Sequence, residues 1–422
     1  MNFDRFVILN AEIIAQEPTR HVRHRNNALP INNGCWSHSG GSIGVIEDRD
    51  TRPKNAVAIE AKASTTPNLL RIYSRLADTN TMACENNAHS LQPRNPDFSL
   101  EACLRAADIS IKNVTPLTGG LVNYVWRITD NAERAFILKH AEAALKLNAS
   151  ISSDPARLAH EARGMQAQEV RDACAAVEGV SVPEVVSYNN KLHTLITTDG
   201  GNESLAAAYE AGRLDMVDVA ERLAKWTAAL HTATKDVPLG VWENELAESV
   251  SMTAANGMPD CMERLGYSRE IGETARDEYF ALQPEERVCC VQGDLRPGNI
   301  LVGENDVLSI IDWEDSRRQS PAIDLRLFAA QAYLLDFLHG ERGLLDAFLR
   351  TYKQLAGDVC SERVARRTAV MFGGFLVFWL PQMDLCSAAQ SDELARYGAE
   401  VVDRAIAWDV AWLKSSRLGP LF

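Results

Sequence analysis

Residues 292–299 read QGDLRPGN, and residues 310–314 read IIDWE. The two stretches place Asp294, Asn299 and Asp312 where loops meet short apolar segments that are predicted to form strands. An amide oxygen from Asn299 and a carboxylate from Asp312 are ligands that suit Mg²⁺. A loop carboxylate such as Asp294 can orient an attacking hydroxyl and accept its proton. The pattern therefore predicts phosphoryl transfer, which depends mostly on positioning and charge neutralisation.

These stretches resemble the catalytic loop and the metal-binding strand of the aminoglycoside phosphotransferase family. The resemblance continues in the same order from about Ile111 to about Trp412. It implies an α+β, two-lobed protein-kinase-like fold, with an antiparallel-sheet N-terminal lobe and a mainly helical C-terminal lobe. It also implies a kinase that uses ATP and Mg²⁺ to phosphorylate a hydroxyl of a small metabolite. Choline-kinase-like and methylthioribose-kinase-like enzymes belong to the same family, so the acceptor stays open.

The resemblance assigns roles to residues around the loop. Asp294 corresponds to the catalytic Asp, and Arg296 is placed to touch the γ-phosphate as charge spreads in the transition state. A salt bridge to Asp324 or Glu314 is the alternative role for Arg296. Asp324 itself resembles a position that braces the catalytic loop. Gln292 replaces the His that usually precedes Gly-Asp and supports the loop, a task that Gln can perform by hydrogen bonding.

A second group of residues is predicted to bind the nucleotide. Gly119 and Gly120 would let a hairpin backbone approach the phosphates without interference from a Cβ atom. Lys139 ends a predicted strand and can reach the α- and β-phosphates. Glu161, on the following helix, is its expected partner, with Glu169 as the alternative. The sequence contains no G-x-x-x-x-G-K-[ST] loop, which excludes P-loop kinases.

The segment 196–199 resembles the hinge whose backbone pairs with adenine, and Thr197 and Asp199 are its predicted cofactor-binding residues. Farther along the chain, aromatic and acidic side chains lie in the helical region where this family binds acceptors. They could form a pocket for an amine-bearing substrate, or they could be core aromatics and solvated acids. These residues are Phe378, Trp379, Asp384, Asp392 and Glu393.

Three segments are expected along the chain. Residues 1–95 lack sustained periodicity and are rich in Asn, Ser, Thr, Pro and Arg, which predicts a disordered or spurious N-terminal extension. Met82 is an alternative start. Residues 96–200 are predicted to form the ATP-binding lobe and hinge. Residues 201–422 are predicted to form the helical lobe with the catalytic and metal-binding loops.

Hydrophobic periodicity predicts the individual elements. In the first lobe we expect strands at 111–116, 121–128 and 135–140. A helix is predicted to begin at Asp154, as the N-cap, with Pro155 in its first turn, and to end near Ala173. In the second lobe we expect helices near 215–233, 321–336, 343–355, 362–380 and 391–414.

The composition is typical of an ordinary soluble protein, and the cysteines predict a cytoplasmic location. Of the 422 residues, 46% are hydrophobic and 24% are charged, and no apolar run is long enough to span a membrane. The net charge of −14 argues against nucleic acid as the main partner and tolerates a cationic acceptor. The nine cysteines form no C-x-x-C pair, which favours reduced thiols over a disulfide framework.

Two other functions are compatible with parts of the pattern. A protein Ser/Thr kinase would carry D-F-G and A-P-E motifs, but here the metal strand ends in DWE at residues 312–314. A catalytically weak pseudokinase that binds a nucleotide or metabolite is supported only by Gln292. The intact set of Asp294, Asn299 and Asp312 opposes it. The small-molecule kinase is therefore the favoured interpretation.

Overall fold

The strands define the first lobe and the catalytic hairpins in the computed structural model, which describes residues 92–422 apart from 119–121, 147–148, 150–151, 239, 281–288 and 384. In chain order they are β1 (Ile111–Leu117), β2 (Tyr124–Asp130), β3 (Ala135–His140), β4 (Val180–Ser181), β5 (Val185–Asn189), β6 (Thr194–Thr198), β7 (Glu203–Ser204), β8 (Cys289–Val291), β9 (Ile300–Val302), β10 (Leu308–Ile310) and β11 (Arg317–Gln319). Strands β1, β2, β3, β6 and β5 form, in that order, the antiparallel sheet of the first lobe. Strands β4, β10, β9 and β7 form a second sheet, and β8 pairs with β11.

The chain that follows β7 is mainly helical. In chain order they are α1 (Leu100–Ala106), α2 (Arg157–Gln166), α3 (Gln168–Ala175), α4 (Leu205–Ala211), α5 (Met216–Ala233), α6 (Glu245–Arg264), α7 (Arg269–Phe280), α8 (Ala322–His339), α9 (Leu344–Ala356), α10 (Glu362–Gly374), α11 (Ala388–Ile406) and α12 (Val410–Ser415). The predicted fold class, a sheet lobe followed by a mainly helical lobe, is confirmed. Two predicted helices are interrupted: α10 passes into a π-helical turn at Phe375–Trp379, and α11 and α12 are separated at Trp408, whose φ is 55°.

Alternation along β3 separates the core of the first lobe from its functional face. Phe136 and Leu138 are buried and pack with Trp126 of β2 in a cluster that also receives helix α1, whose N-cap is Ser99. Since side chains alternate along a strand, Lys139 lies on the opposite face of the sheet. This placement directs the lysine away from the core and toward the second lobe.

Helix α2 begins later than predicted. Its N-cap is Ala156, which offers no side-chain cap, and Asp154 instead closes a turn by accepting from Ala156 N at 2.8 Å. The predicted single helix is also broken at Ala167, whose ψ of 140° is extended, so that α3 starts a new axis. A short polar side chain can satisfy the backbone in a turn as readily as at a helix start, and here the turn prevails.

The catalytic loop connects β8 to β9 and packs on the chain that follows β10. Gly293 has a φ of +95°, and a Cβ atom there would lie 2.2 Å from the carbonyl oxygen of Asp315. Only glycine fits this contact. On the far side of the loop, Ile311 N donates to Asn299 O at 3.0 Å. The loop and the end of the metal strand are therefore held side by side.

Candidate active site

Asp294 lies at the centre of a hydrogen-bonded set in the catalytic loop. Its Oδ2 atom accepts from Asn299 Nδ2 at 2.7 Å and from Arg296 Nε at 3.1 Å. Asn299 Nδ2 also donates to the main-chain oxygen of Asp294 at 3.1 Å. All three side chains are buried. The structure thus brings three of the predicted site residues together, and it gives Arg296 an ion-pair partner that the sequence analysis had not named.

The environment of Asp294 favours a role as a base. Burial raises the pKa of its carboxyl group, and the guanidinium of Arg296 opposes only part of that rise. Asp315 and Asp312 add to it because they are negatively charged neighbours. A carboxylate with a raised pKa accepts a proton more readily near neutral pH than an ordinary Asp does.

Lys139 joins the two lobes through two carboxylates. Its Nζ atom donates to Glu161 Oε1 at 2.7 Å and to Asp312 Oδ1 at 2.8 Å. Glu161 is the partner that the sequence suggested on helix α2, whereas the contact with Asp312 was not expected. Asp312 adopts a left-handed conformation, with φ of 63° and ψ of 61°, as the chain leaves β10. Such a backbone is uncommon for a residue with a side chain and often marks a functional site.

Ion pairing and burial together set the protonation states of Lys139, Asp312 and Glu161. Burial alone would lower the pKa of Lys139, but Asp312 and Glu161 outweigh it and raise the pKa, so the lysine stays cationic. For Asp312, burial is likewise outweighed by Lys139, and its pKa is lowered. Burial dominates at Glu161 and raises its pKa. Asp312 is therefore the carboxylate of this pair best suited to meet a cation.

Asn299 and Asp312 fit the donor set expected for Mg²⁺. Asn299 uses its Nδ2 group for Asp294, and its other polar atom, Oδ1, is a neutral oxygen ligand. Asp312 uses Oδ1 for Lys139, and Oδ2 is its second ligand atom. Glu161 and Glu314 also place carboxyl oxygens within 4.8 Å of an oxygen of Asp312, so three carboxyl groups meet beside the end of β10. Both predicted ligands remain predictions, and the chemistry of the oxygens suits a hard cation.

Helix α2 is attached to the metal strand by a second buried ion pair. Arg157 lies four residues before Glu161, so both side chains share one face of the helix. Its Nη2 atom donates to Glu314 Oε1 at 2.6 Å and lies 3.5 Å from Asp315 Oδ1. Asn123, which follows the glycine pair, lies 3.4 Å from the other oxygen of Glu314. Sequence reasoning missed Arg157: its spacing from Glu161 places it on the same helix face, but its partner Glu314 lies 157 positions away in the chain.

Replacing Arg157 with Met is expected to lower the free energy of unfolding by about 3 kcal/mol, because Glu314 and Asp315 lose a buried cationic partner. Burial already raises the pKa of Glu314 to about 8, and removing Arg157 raises it further. A folded-state pKa above the unfolded value makes stability fall as pH rises, so the loss should be larger at pH 8 than at pH 5. Urea unfolding at both pH values measures this.

Arg163 provides the matched control on the same helix, because it is exposed. We expect Arg163→Met to change the free energy of unfolding by no more than about 0.5 kcal/mol. Equal effects of the two substitutions would show that the buried pair of Arg157 does not stabilise the fold.

Asp324 supports the start of the catalytic loop through hydrogen bonds. Its two carboxylate oxygens accept from the main-chain N–H groups of Gln292 at 2.9 Å and Gly293 at 2.8 Å. His231 Nε2 lies 3.1 Å from the same carboxylate, and its Nδ1 lies 2.8 Å from the hydroxyl of Tyr352. These groups are buried, so the network holds the start of the loop in place. The bracing role expected for Asp324 agrees with these contacts.

The predicted hinge uses much of its own backbone within the protein. Thr197 pairs with Ile137 in the sheet. Asp199 N donates to Ala135 O at 3.2 Å, and its carboxylate pairs with Arg127 at 2.6 Å. Adenine recognition by Thr197 and Asp199 stays a prediction. The main-chain N–H of Asp199 is already engaged, so a contact with adenine would need another group of this segment.

The remaining predicted residues are the glycine pair and the members of the suggested acceptor pocket. Gly119, Gly120 and Asp384 lie outside the described residues. Phe378 and Trp379 form an edge-to-face pair in the π-helical turn, with ring centroids 4.9 Å apart. Two acids of the suggested acceptor pocket, Asp392 and Glu393, are exposed on α11. Their exposure agrees with the alternative in which they are solvated acids.

The chain is similar in sequence to known phosphotransferases and kinases. A family model described as a phosphotransferase enzyme family matches residues 113–368, more than half of the chain. The 4-hydroxytryptamine kinase of Psilocybe cyanescens is 24% identical over 334 residues, which cover 71% of this chain and 89% of that protein. The 4-hydroxytryptamine kinase of Psilocybe cubensis is 23% identical over 326 residues, with 69% and 87% coverage. A solved aminoglycoside phosphotransferase from Alicyclobacillus acidocaldarius has a TM-score of 0.45 and 15% identity, covering 76% of this chain and 97% of its own.

Proposed function

The chain belongs to the phosphotransferase enzyme family and is a small-molecule kinase, and we propose that it transfers the γ-phosphate of ATP to a hydroxyl of its acceptor with Mg²⁺. One observation carries this proposal. Lys139 is held by Glu161 and Asp312, while Asp294 and Asn299 are joined in the adjacent loop. A phosphate-binding cation, an acidic metal strand and a buried base are the parts that phosphoryl transfer requires.

Each residue has a definite task in this mechanism. Lys139 binds the α- and β-phosphates, and Glu161 keeps its ammonium group in position. Asp294 orients the acceptor hydroxyl and takes its proton as the bond to phosphorus forms. Arg296 lies beside Asp294 and stabilises the negative charge that spreads over the transferring group. Mg²⁺, when bound, neutralises phosphate charge, and Asn299 and Asp312 are the residues that would hold it.

The acceptor is proposed to be an amine-bearing alcohol or phenol. The relatives that match are named 4-hydroxytryptamine kinases, and their substrate carries both a hydroxyl and an amine. The net charge of −14 favours approach of a cationic molecule over an anionic one. We therefore regard 4-hydroxytryptamine as the first acceptor to test, followed by choline, amino alcohols and aminoglycosides.

Incubation of the protein with ATP, Mg²⁺ and each acceptor should yield one product that is heavier by one phosphoryl group. Mass spectrometry of the acceptor measures this, and an excess of EDTA should abolish it because the phosphate charge is no longer neutralised. The Asp294→Asn variant is the control for contaminating kinases. Phosphorylated product that forms equally with this variant would contradict the proposal.

The proposal involves neither nucleic acid nor a membrane. Among the described residues, no helix combines the length and the apolar composition needed to traverse a bilayer. In that part of the chain, buried free thiols are found at Cys103, Cys261, Cys289, Cys290 and Cys360. Reduced buried thiols are typical of cytoplasmic proteins, and a cytoplasmic location is therefore part of the proposal.

A further inference from the structure

The carboxamide of Gln292 connects the catalytic loop to the metal strand. Its Oε1 atom accepts from Asp294 N at 2.8 Å. Its Nε2 group donates to the main-chain oxygens of Ile311 at 3.0 Å and Asp312 at 2.7 Å. The side chain has no exposed surface. Three main-chain groups from two separate segments are therefore satisfied by a single side chain.

The donor and acceptor pattern fixes the orientation of this amide. If the amide were flipped, its NH₂ group would face the N–H of Asp294 and its oxygen would face two carbonyl oxygens, so every contact would be repulsive. A neutral imidazole has only one donor and one acceptor and could not serve both carbonyls. Gln at this position therefore makes one more hydrogen bond than His can. Gln in place of the usual His therefore adds a hydrogen bond between the catalytic loop and the metal strand.

The side chain and the main chain of Gln292 have different partners. The main-chain N–H is bound by Asp324, which supports the loop from the helical lobe. The side chain instead reaches Asp312, whose left-handed backbone is costly for a residue with a Cβ atom. The hydrogen bond that Gln292 donates to the carbonyl oxygen of Asp312 favours this conformation.

We propose that Gln292 is a positioning residue for phosphoryl transfer, because its carboxamide holds Asp294 and Asp312 at a constant separation. This inference rests on the proposed function, in which Asp294 orients the acceptor and Asp312 binds the metal. Phosphoryl transfer is sensitive to such alignment, since a displacement of about 1 Å can cost a factor of about 100 in rate. Gln292 acts through these two residues without touching the substrate.

Three substitutions of Gln292 are expected to lower kcat to different extents. Gln292→Ala removes all three hydrogen bonds and should lower kcat about 10- to 100-fold, while KM for ATP changes less than about threefold. Gln292→Glu keeps the acceptor but directs an oxygen toward two carbonyl oxygens, and it should resemble Gln292→Ala. Gln292→His retains one donor and one acceptor and should lower kcat less than about tenfold. Steady-state kinetics with ATP and the acceptor measure kcat and KM for each variant.

Gln319→Ala is the matched control. Gln319 is also buried, and its Oε1 accepts a main-chain N–H, that of Ser320, at 3.0 Å. It lies on β11, outside the catalytic loop, so its loss should lower Tm with kcat unchanged. The inference is overturned if Gln292→Ala retains wild-type kcat, or if its loss of kcat is matched by Gln319→Ala.

Amide hydrogen exchange provides a readout that needs no activity. Exchange in the peptide covering 292–299 should be faster in Gln292→Ala than in wild type, because the Asp294 N–H loses its acceptor. Unchanged exchange there would overturn the inference. If wild type transfers no phosphate, the proposed function fails while exchange still decides the role of Gln292. If Gln292→Ala does not fold, Gln292→His is judged by the same two measurements.

Discussion

Asp294→Asn is expected to lower the turnover number about 10³- to 10⁴-fold, with little change in fold or in affinity for ATP. Asn keeps the size of the side chain and can still accept from Asn299 and Arg296 through its amide oxygen, so the loop should persist. It cannot take a proton from the acceptor hydroxyl. Steady-state kinetics measure the loss, and calorimetric titration with an ATP analogue measures the affinity.

Asp336→Asn is the matched control for this variant. Asp336 and Asp294 are equally buried, each with 5% of its surface exposed. Asp336 pairs with Tyr209 and Arg417 within the helical lobe. Its replacement should lower stability and leave turnover near that of wild type. Turnover in Asp294→Asn within about tenfold of wild type would remove Asp294 from the proton transfer.

The pH dependence of turnover offers a second check on Asp294. Because burial raises the pKa of this carboxyl group, the base becomes protonated at a higher pH than an ordinary Asp. Activity requires the unprotonated form, so turnover should fall as pH decreases through the raised pKa. The residual activity of Asp294→Asn should lack this acid limb. A wild-type profile that stays flat down to the pKa of an ordinary Asp, about 3.9, would contradict the assignment.

Asp312→Asn is expected to reduce turnover about 10³-fold and to raise the concentration of Mg²⁺ needed for half-maximal rate. The substitution removes the negative charge that would hold the metal, and it weakens the contact with Lys139. Asn tolerates the left-handed backbone at this position as well as Asp does, so strain should not confuse the result. Initial rates over a range of Mg²⁺ concentrations measure both effects.

Asp306→Asn controls for the same change in the same backbone conformation. Asp306 has a φ of 57° and is exposed in the turn before β10, away from Lys139. Its replacement should leave turnover and the Mg²⁺ requirement unchanged. If saturating Mg²⁺ restored the full wild-type rate to Asp312→Asn, its charge would be needed for metal affinity alone and not for the transfer step.

Local patterns in the sequence were sufficient to predict several of the residues that the structure brings together in the candidate site. Lys139 is at a position on β3 that alternation assigns to the face opposite Leu138, and Glu161 follows on the next helix. The short apolar segments around residues 292–314 correctly predicted the strands β8, β9 and β10 next to Asp294 and Asp312. These features depend on periodicity and turn chemistry within a few residues, and short-range patterns record such effects well.

Features that depend on competing local interactions were predicted less well. Asp154 has the chemistry of an N-cap, but it forms a turn and the helix starts later. The break between α2 and α3 falls at Ala167, which is itself neither glycine nor proline. Helices that pack against one another can override local propensity, so their ends are decided by the neighbours they meet.

By itself, the sequence determined the order of the two lobes and the short strands beside the catalytic loop, since strand alternation and turn residues act within short stretches. Only the tertiary structure decided two other buried contacts. Arg157 pairs with Glu314 across 157 positions of the chain, and Gln292 reaches Asp312 across 20. Burial makes these pairings strong, because a buried charge or amide must find a partner wherever the fold supplies one. No local pattern contains that information.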